Sequence, residues 1–334
     1  MAKKLKDTDY LFISTYLRAR EKNLLTAARM ERMIDAPSAE EAGKVLQEIG
    51  YGEFSAESDR ELSAALAAER EKLFADLYRF VPDRAVVDVF KVKYDYHNIK
   101  ALLKAQAMNI SGKHLLVDAG RVKAAELLQR SRESGNWDFL PPAMAAAARE
   151  GRRVLAETGD PQRSDAVVDR AWLAEMLQMA EETKCSYLVD YVRATIDAAN
   201  LRSVVRTLRM GRTAAFLKEF LFPGGAVSVD NCLKAAVNGE VEQAYRTTVL
   251  REAARAGKEA VEAGGSLTAF EKLCDDAVMA QAGKARRIPF GVEVVIGFVA
   301  AREAEVSNVR IIMAGRMAGI PADTIRERLR ESYV

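Results

Sequence analysis

Histidine occurs twice in this sequence, tryptophan twice, cysteine three times and proline eight times in 334 residues, and each scarcity closes off a class of protein. With only His97 and His114, and no Cys-x-x-Cys, the sequence makes no case for a zinc site. Cys185, Cys232 and Cys274 are odd in number and far apart, which fits free thiols in a reducing compartment better than a disulfide framework. A dominant charge sign is lacking too. Fifty bases against 48 acids leave a formal net charge of +2, without the basic excess or stripe of a nucleic-acid binder. The most apolar stretch, 288–301, is too short to span a bilayer and carries Glu293. The opening "MAKKLKDTDYLF" has bases but no continuous apolar core, so it does not read as a secretory signal. No GxxxxGK[ST] phosphate loop is present, and no GxGxxG follows a strand-like run.

What remains is rich in Ala, Leu, Glu, Arg and Lys, the strong helix formers. Hydrophobic residues make up 49% and charged residues 29%, the proportions of a globular chain rather than a disordered one. Apolar residues recur at helical spacing, as in Leu201, Val204, Val205 and Leu208. Breaks fall at stretches bearing Gly or Pro, among them 35–41, 49–59, 109–114, 133–142, 157–165, 221–230, 262–267 and 318–323. The expectation is an all-α protein of a dozen or more helices with short connections.

One hexad appears three times: "DYHNIK" from Asp95, "DAANLR" from Asp197 and "EVSNVR" from Glu305. Each is an acid, two residues, Asn, an aliphatic residue and a base. Of the eight asparagines, only Asn98, Asn200 and Asn308 have this surrounding. Lys100, Arg202 and Arg310 are the bases. A second marker keeps the register, since "LLVDAGRV" (115–122) aligns with "FLFPGGAV" (220–227), placing Gly120 over Gly225 and Val122 over Val227. Repeats about a hundred residues apart imply three domains rather than a solenoid, drawn at 1–113, 114–216 and 217–334.

On a helix the asparagines fall in apolar rows: Tyr94–Asn98–Leu102, Ile196–Asn200–Val204 and Ala304–Asn308–Ile312. A buried amide without partners costs about 1–3 kcal/mol, so each must bond to something specific. The first reading is a backbone contact that fixes packing register; the second is a set of polar groups converging on a ligand. The bases point well away from the acids, and a solvated face is their default. The turn Phe220, Phe222, Pro223, Gly224, Gly225 is either an apolar partner-contact patch or a staple folded back on the next helix. Asp275 and Asp276 begin a DDxxD-like run whose third acid is missing, since position 279 is Met. His97 reads as a surface or packing residue, and Trp137 and Trp172 as core. No residue is singled out as catalytic, cofactor-binding or metal-ligating.

The hexads, "YLRAREKNLL" (16–25), "FKVKYDYHNIKALLKA" (90–105), the "FPGG" turn and the end "AREAEVSNVRIIMAGRMAGIPADTIRERL" together resemble the C subunit of the V-type (A-type) ATPase/ATP synthase, a relative of the d subunit of eukaryotic vacuolar ATPases. The resemblance spans essentially the whole chain. It implies three similar helical domains around a pseudo-threefold axis, shaped as a funnel or socket, with no active site and no cofactor. It further implies a central-rotor role on the cytoplasmic side, in one copy per complex. The partners would be the central stalk, made of the D and F subunits, and the membrane proteolipid ring, through which alone the protein would meet the membrane. A free-standing three-repeat scaffold for soluble proteins is the alternative; an enzyme built on Asp275–Asp276 is a third reading.

Overall fold

The computed structural model describes residues 5–52, 58–133 and 137–334. The expected breaks at 49–59 and 133–142 lie partly outside these residues, as does the start of the chain. Among the described residues there are sixteen α-helices, three short 3-10 helices and no strand; the all-α expectation holds. The chain divides into two compact units, Met1–Arg84 with Thr247–Val334, and Ala85–Arg246.

The first unit is organised on one helix, Val292–Met317. Its segment 294–301 is buried on every side, because an apolar run with no polar face has no side it can leave in water. Helices Leu11–Glu21, Ala27–Asp35, Ala39–Glu48, Asp59–Phe80, Thr268–Gly283 and Ala322–Arg328 all pack on it. Met33, Ile34, Leu46, Leu62 and Leu66 meet Val309, Ile312 and Met313 in a continuous core. Each fully buried side chain of this size stabilises by about 1.5–3 kcal/mol. Thr26, Ser38 and Ser58 fix where three of these helices start, each accepting a hydrogen bond from the backbone N–H of the third helical residue.

The second unit contains a helical hairpin, Pro142–Thr158 and Pro161–Glu182. Its joint explains itself in three residues. Gly159 ends the first helix at φ 66°, Asp160 caps the second by accepting from Gln162 N–H at 2.8 Å, and Pro161 takes a first-turn position where no N–H is needed. The facing stripe of Ala145, Ala148 and Gly151 is small, and a Cβ at Gly151 would stand 2.8 Å from Val168 Cγ2. Any larger residue there would wedge the hairpin apart. Helix Ser186–Arg209 packs against the hairpin's second arm. Trp137 is fully buried and Trp172 half-buried.

Candidate functional site

Each hexad lies late in a long helix: Arg84–Ala107, Ser186–Arg209 or Val292–Met317. Beyond each Asn the same succession follows. A left-handed residue (Asn109, Gly211 or Gly319) ends the turn after the helix. The next residue's N–H then bonds back five positions: Ile110 to Ala105, Arg212 to Thr207 and Ile320 to Gly315, a Schellman-type closure. A short helix comes next, Lys113–Leu115, Ala214–Glu219 or Ala322–Arg328. The chain is then extended, and there it meets the Asn.

All three asparagines make the same pair of bonds. Asn98 donates through Nδ2 to Val117 O at 2.9 Å and accepts at Oδ1 from Val117 N at 2.8 Å. Asn200 does this with Phe222, at 2.8 Å in both directions. Asn308 does it with Arg330, at 3.1 and 2.9 Å. A side-chain amide carries a donor and an acceptor side by side, and so satisfies both backbone groups of an extended residue at once. These are backbone clamps, and they engage the amide's oxygen and nitrogen alike.

The acids share the work differently. Asp95 Oδ1 accepts from Arg121 N at 2.8 Å and Val122 N at 3.0 Å, while Arg121 Nε reaches Oδ2 at 2.9 Å. Asp197 accepts from Ala226 N at 3.0 Å and Val227 N at 3.1 Å, with alanine where the first loop has arginine. The Gly-x-Val marker now has a cause. A Cβ at Gly120 or Gly225 would lie 2.2 Å from Asp95 Oδ1 or 2.1 Å from Asp197 Oδ1, so only glycine lets the loop come this close. Each marker thus serves the hexad before it, and both clamps cross the divisions expected at 113/114 and 216/217.

Glu305 departs from this pattern. Its Oε2 accepts from Leu25 N at 2.6 Å, and its Oε1 from Tyr51 OH at 2.7 Å and from the Arg302 guanidinium. Ser332 Oγ donates to Leu25 O at 2.9 Å, so Leu25 is held on both sides. The segment beyond Arg330 is held by the two aspartates singled out in the sequence. Asp275 pairs with Arg330 Nε at 2.6 Å, and Asp276 accepts from Glu331 N at 2.8 Å. Both carboxylates therefore bind the protein's own chain. Among the described residues no group of three or more His, Cys, Asp or Glu is placed to hold a metal ion.

Burial raises the pKa of all three hexad acids, each with a different offset. At Asp95 two backbone N–H groups and the Arg121 charge oppose the rise. At Glu305 the Arg302 charge does so first. Asp197 has its two backbone N–H groups and the more distant Arg193, and is pushed up to about 6.

Two of the bases have partners on a neighbouring helix rather than a fully solvated face. Lys100 pairs with Asp169 at 2.6 Å on the neighbouring helix Pro161–Glu182, and Arg310 donates to Ser63 Oγ at 3.0 Å. Arg202 is half-buried. A neighbouring helix covers the flank of each hexad helix at Lys100 and Arg310, which periodicity alone does not reveal. In the FPGG turn, Phe222 is buried, Phe220 is half-buried with its ring 4.8 Å from Phe216, and Pro223 and Gly224 are exposed. His97 is exposed, with Nε2 3.3 Å from Leu115 O.

Residues 13–328, which contain all three hexads, match the family described as ATP synthase (C/AC39) subunit. The chain belongs to that family. It is 26% identical to the C subunit of the V-type sodium ATPase of Enterococcus hirae, over 97% of this chain and 99% of that one. It is also 26% identical to the C subunit of the A-type ATP synthase of Methanocaldococcus jannaschii, over 96% and 86% respectively. The C subunit of the V-type ATP synthase of Thermus thermophilus is 25% identical, over 96% and 98%. As a member of the C/AC39 family, the chain is an accessory component of a V/A-type ATPase complex. Among its described residues no helix is long and apolar enough to cross a membrane.

Sequence reasoning identified the clamp asparagines but missed what they hold. Val117, Phe222 and Arg330 contribute backbone, which carries no residue-type signal. The Gly-x-Val marker was the available pointer to the acid-binding loops. Leu25, Tyr51 and Arg302 around Glu305 had none.

Proposed function

We propose that this C/AC39 protein is the non-catalytic central-rotor piece of a V/A-type rotary ATPase, a socket that couples the central stalk of D and F subunits to the membrane proteolipid ring. In this reading it sits peripherally on the cytoplasmic side, one copy per complex, with ATP chemistry and ion passage in other subunits. Three related helical domains, expected as 1–113, 114–216 and 217–334, surround a pseudo-threefold axis, each carrying one hexad. The hexads Asp95/Asn98/Lys100, Asp197/Asn200/Arg202 and Glu305/Asn308/Arg310 act as structural signatures. The exposed tip of the turn Phe220–Gly225 is a partner contact.

The observation that carries the reading is the family match over residues 13–328. The clamps support it physically. An element that transmits torque needs loops that do not yield, and here buried amides and carboxylates are spent on the protein's own backbone rather than on a substrate. The test mixes the purified protein with detergent-solubilised ring and with the D–F pair, separately and together, and reads complex mass by native mass spectrometry. Simultaneous binding to both is the expected result. Failure to bind either, with ring and stalk intact, overturns the coupling role and leaves the free-standing scaffold.

A further inference from the structure

The loop Lys284–Gly291 in the unit built on Val292–Met317 holds three bases that the clamps do not use. Lys284, Arg286 and Arg287 are exposed within four residues of one another. None forms an ion pair among the described residues. Lys284 Nζ instead donates to the buried Gln281 Oε1 at 2.5 Å, and the Arg286 guanidinium lies 5.9 Å from the Tyr333 ring centroid. In a chain whose net charge is only +2, these three bases form a local excess of positive charge.

The loop is also held in place. Arg18 Nη2 donates to Ala285 O and Ile288 O, both at 2.6 Å. Ser14 Oγ accepts from Gly291 N at 3.1 Å and donates to Gly291 O at 3.4 Å. Three acids stand nearby but form no ion pair with these bases among the described residues: Asp7 and Glu293 lie at Gly291, at the far end of the loop, and Glu21 pairs with Arg18 at 2.6 Å. The three bases line a concavity of about 620 Å³ together with two small residues, Ala280 and Gly283.

We propose that this concavity is a binding site for a phosphate-bearing anion, either free or as a lipid headgroup. A concavity lined by two arginines, a lysine and two small residues suits a compact, multiply charged oxyanion, to which arginine can bond through two parallel N–H groups. An acidic helix would present its carboxylates spread along a line, whereas these three bases fall within four residues of one another. Exposed Pro289 and Phe290 follow the bases on the same pinned loop. They supply the apolar neighbour that a headgroup at a membrane surface would meet and a free anion would not. The site stands whether or not the coupling reading holds, because its test needs neither ring nor stalk.

The experiment uses the full chain in two arms: calorimetric titration with inorganic pyrophosphate, and sedimentation with phosphatidylcholine vesicles with and without phosphatidic acid. The wild-type protein binds pyrophosphate, phosphatidic-acid vesicles or both, more weakly as salt rises. The triple variant Lys284→Gln/Arg286→Gln/Arg287→Gln loses this binding, by about a hundredfold on vesicles at roughly fivefold per cation, with an unchanged thermal melt. Arg287→Gln alone gives a partial loss and serves where the triple variant folds poorly. Phe290→Ala separates the sources: reduced vesicle binding with unchanged pyrophosphate binding assigns a lipid, and equal retention of both assigns a free anion. Wild-type protein that ignores both probes, a triple variant that binds as well as wild type, or binding to polyglutamate alone overturns the proposal.

Discussion

Asp197 and Glu305 stand at the same place in the same pattern, yet they hold different things. Asp197, in the unit Ala85–Arg246, closes on a loop of its own neighbourhood, with two backbone N–H groups some thirty residues on and, among the described residues, no cation bonded to it. Glu305 carries one more methylene and holds Leu25, 280 residues earlier, beside Tyr51 and the charge of Arg302. The asparagines three residues on do not diverge at all; each clamps both backbone groups of one extended residue. The amide fixes a geometry, which allows one solution. The acid only has to find donors, so its partners differ from unit to unit.

The largest expected effect is therefore at the acid with the most dependants. Glu305→Leu leaves Arg302 without its close carboxylate and strands Leu25 N–H and the Tyr51 hydroxyl. The expected loss is about 3–5 kcal/mol, read from the denaturant midpoint. If Asp197→Leu costs as much, the contrast between the two acids disappears.

Next comes Asn200→Leu, which leaves Phe222 N–H and C=O buried and unpaired. Equilibrium unfolding should show a loss of about 2–4 kcal/mol. Asn308→Leu should cost less, because the Arg330 backbone it serves is only part-buried. Equal losses would show that burial does not set the value of a clamp.

Asp197 sharpens the comparison through pH. Its folded pKa of about 6 lies above the ordinary 3.8, so its favourable contribution is complete below about pH 4 and is lost as pH rises through 6. The full swing is about 3 kcal/mol. Ala226→Arg would put a cation where Arg121 serves Asp95, and should flatten that slope. Melting curves of both proteins between pH 4 and 7 make the test; parallel curves would mean that Asp197 does not titrate in this window. The smallest effect is at a base. Lys100→Met should cost about 1 kcal/mol or less, because its pair with Asp169 is partly hydrated. A loss as large as that of Asn200→Leu would make the bases equal members of the hexad.

The helical class was legible from composition and periodicity, and the places of the recurring clamp from three asparagines and two glycines. Those signals survive in sequence because each states a local need: an amide in an apolar row, or a residue without a Cβ against a carboxylate. What stayed hidden has no such trace. Lys100 meets Asp169 across a helix pair, and Glu305 meets Leu25 across most of the chain, so neither pairing produces a period. Asp275 and Asp276 resembled the beginning of a metal motif, but in the fold they tether Arg330 and Glu331. The FPGG turn drew attention through its rings, whereas the clamp uses Phe222's backbone. Gly225 matters there for the room it leaves Asp197.

Site-resolved amide hydrogen exchange on wild type and Asn200→Ala decides whether the hexads hold the protein's own loops. If they do, Phe222 N–H in the variant, and Ala226 and Val227 N–H nearby, exchange much faster, while Val117 and Arg330 keep their protection. Unchanged protection at Phe222, together with lost binding to stalk or ring, would contradict this and make the asparagine a contact for a partner.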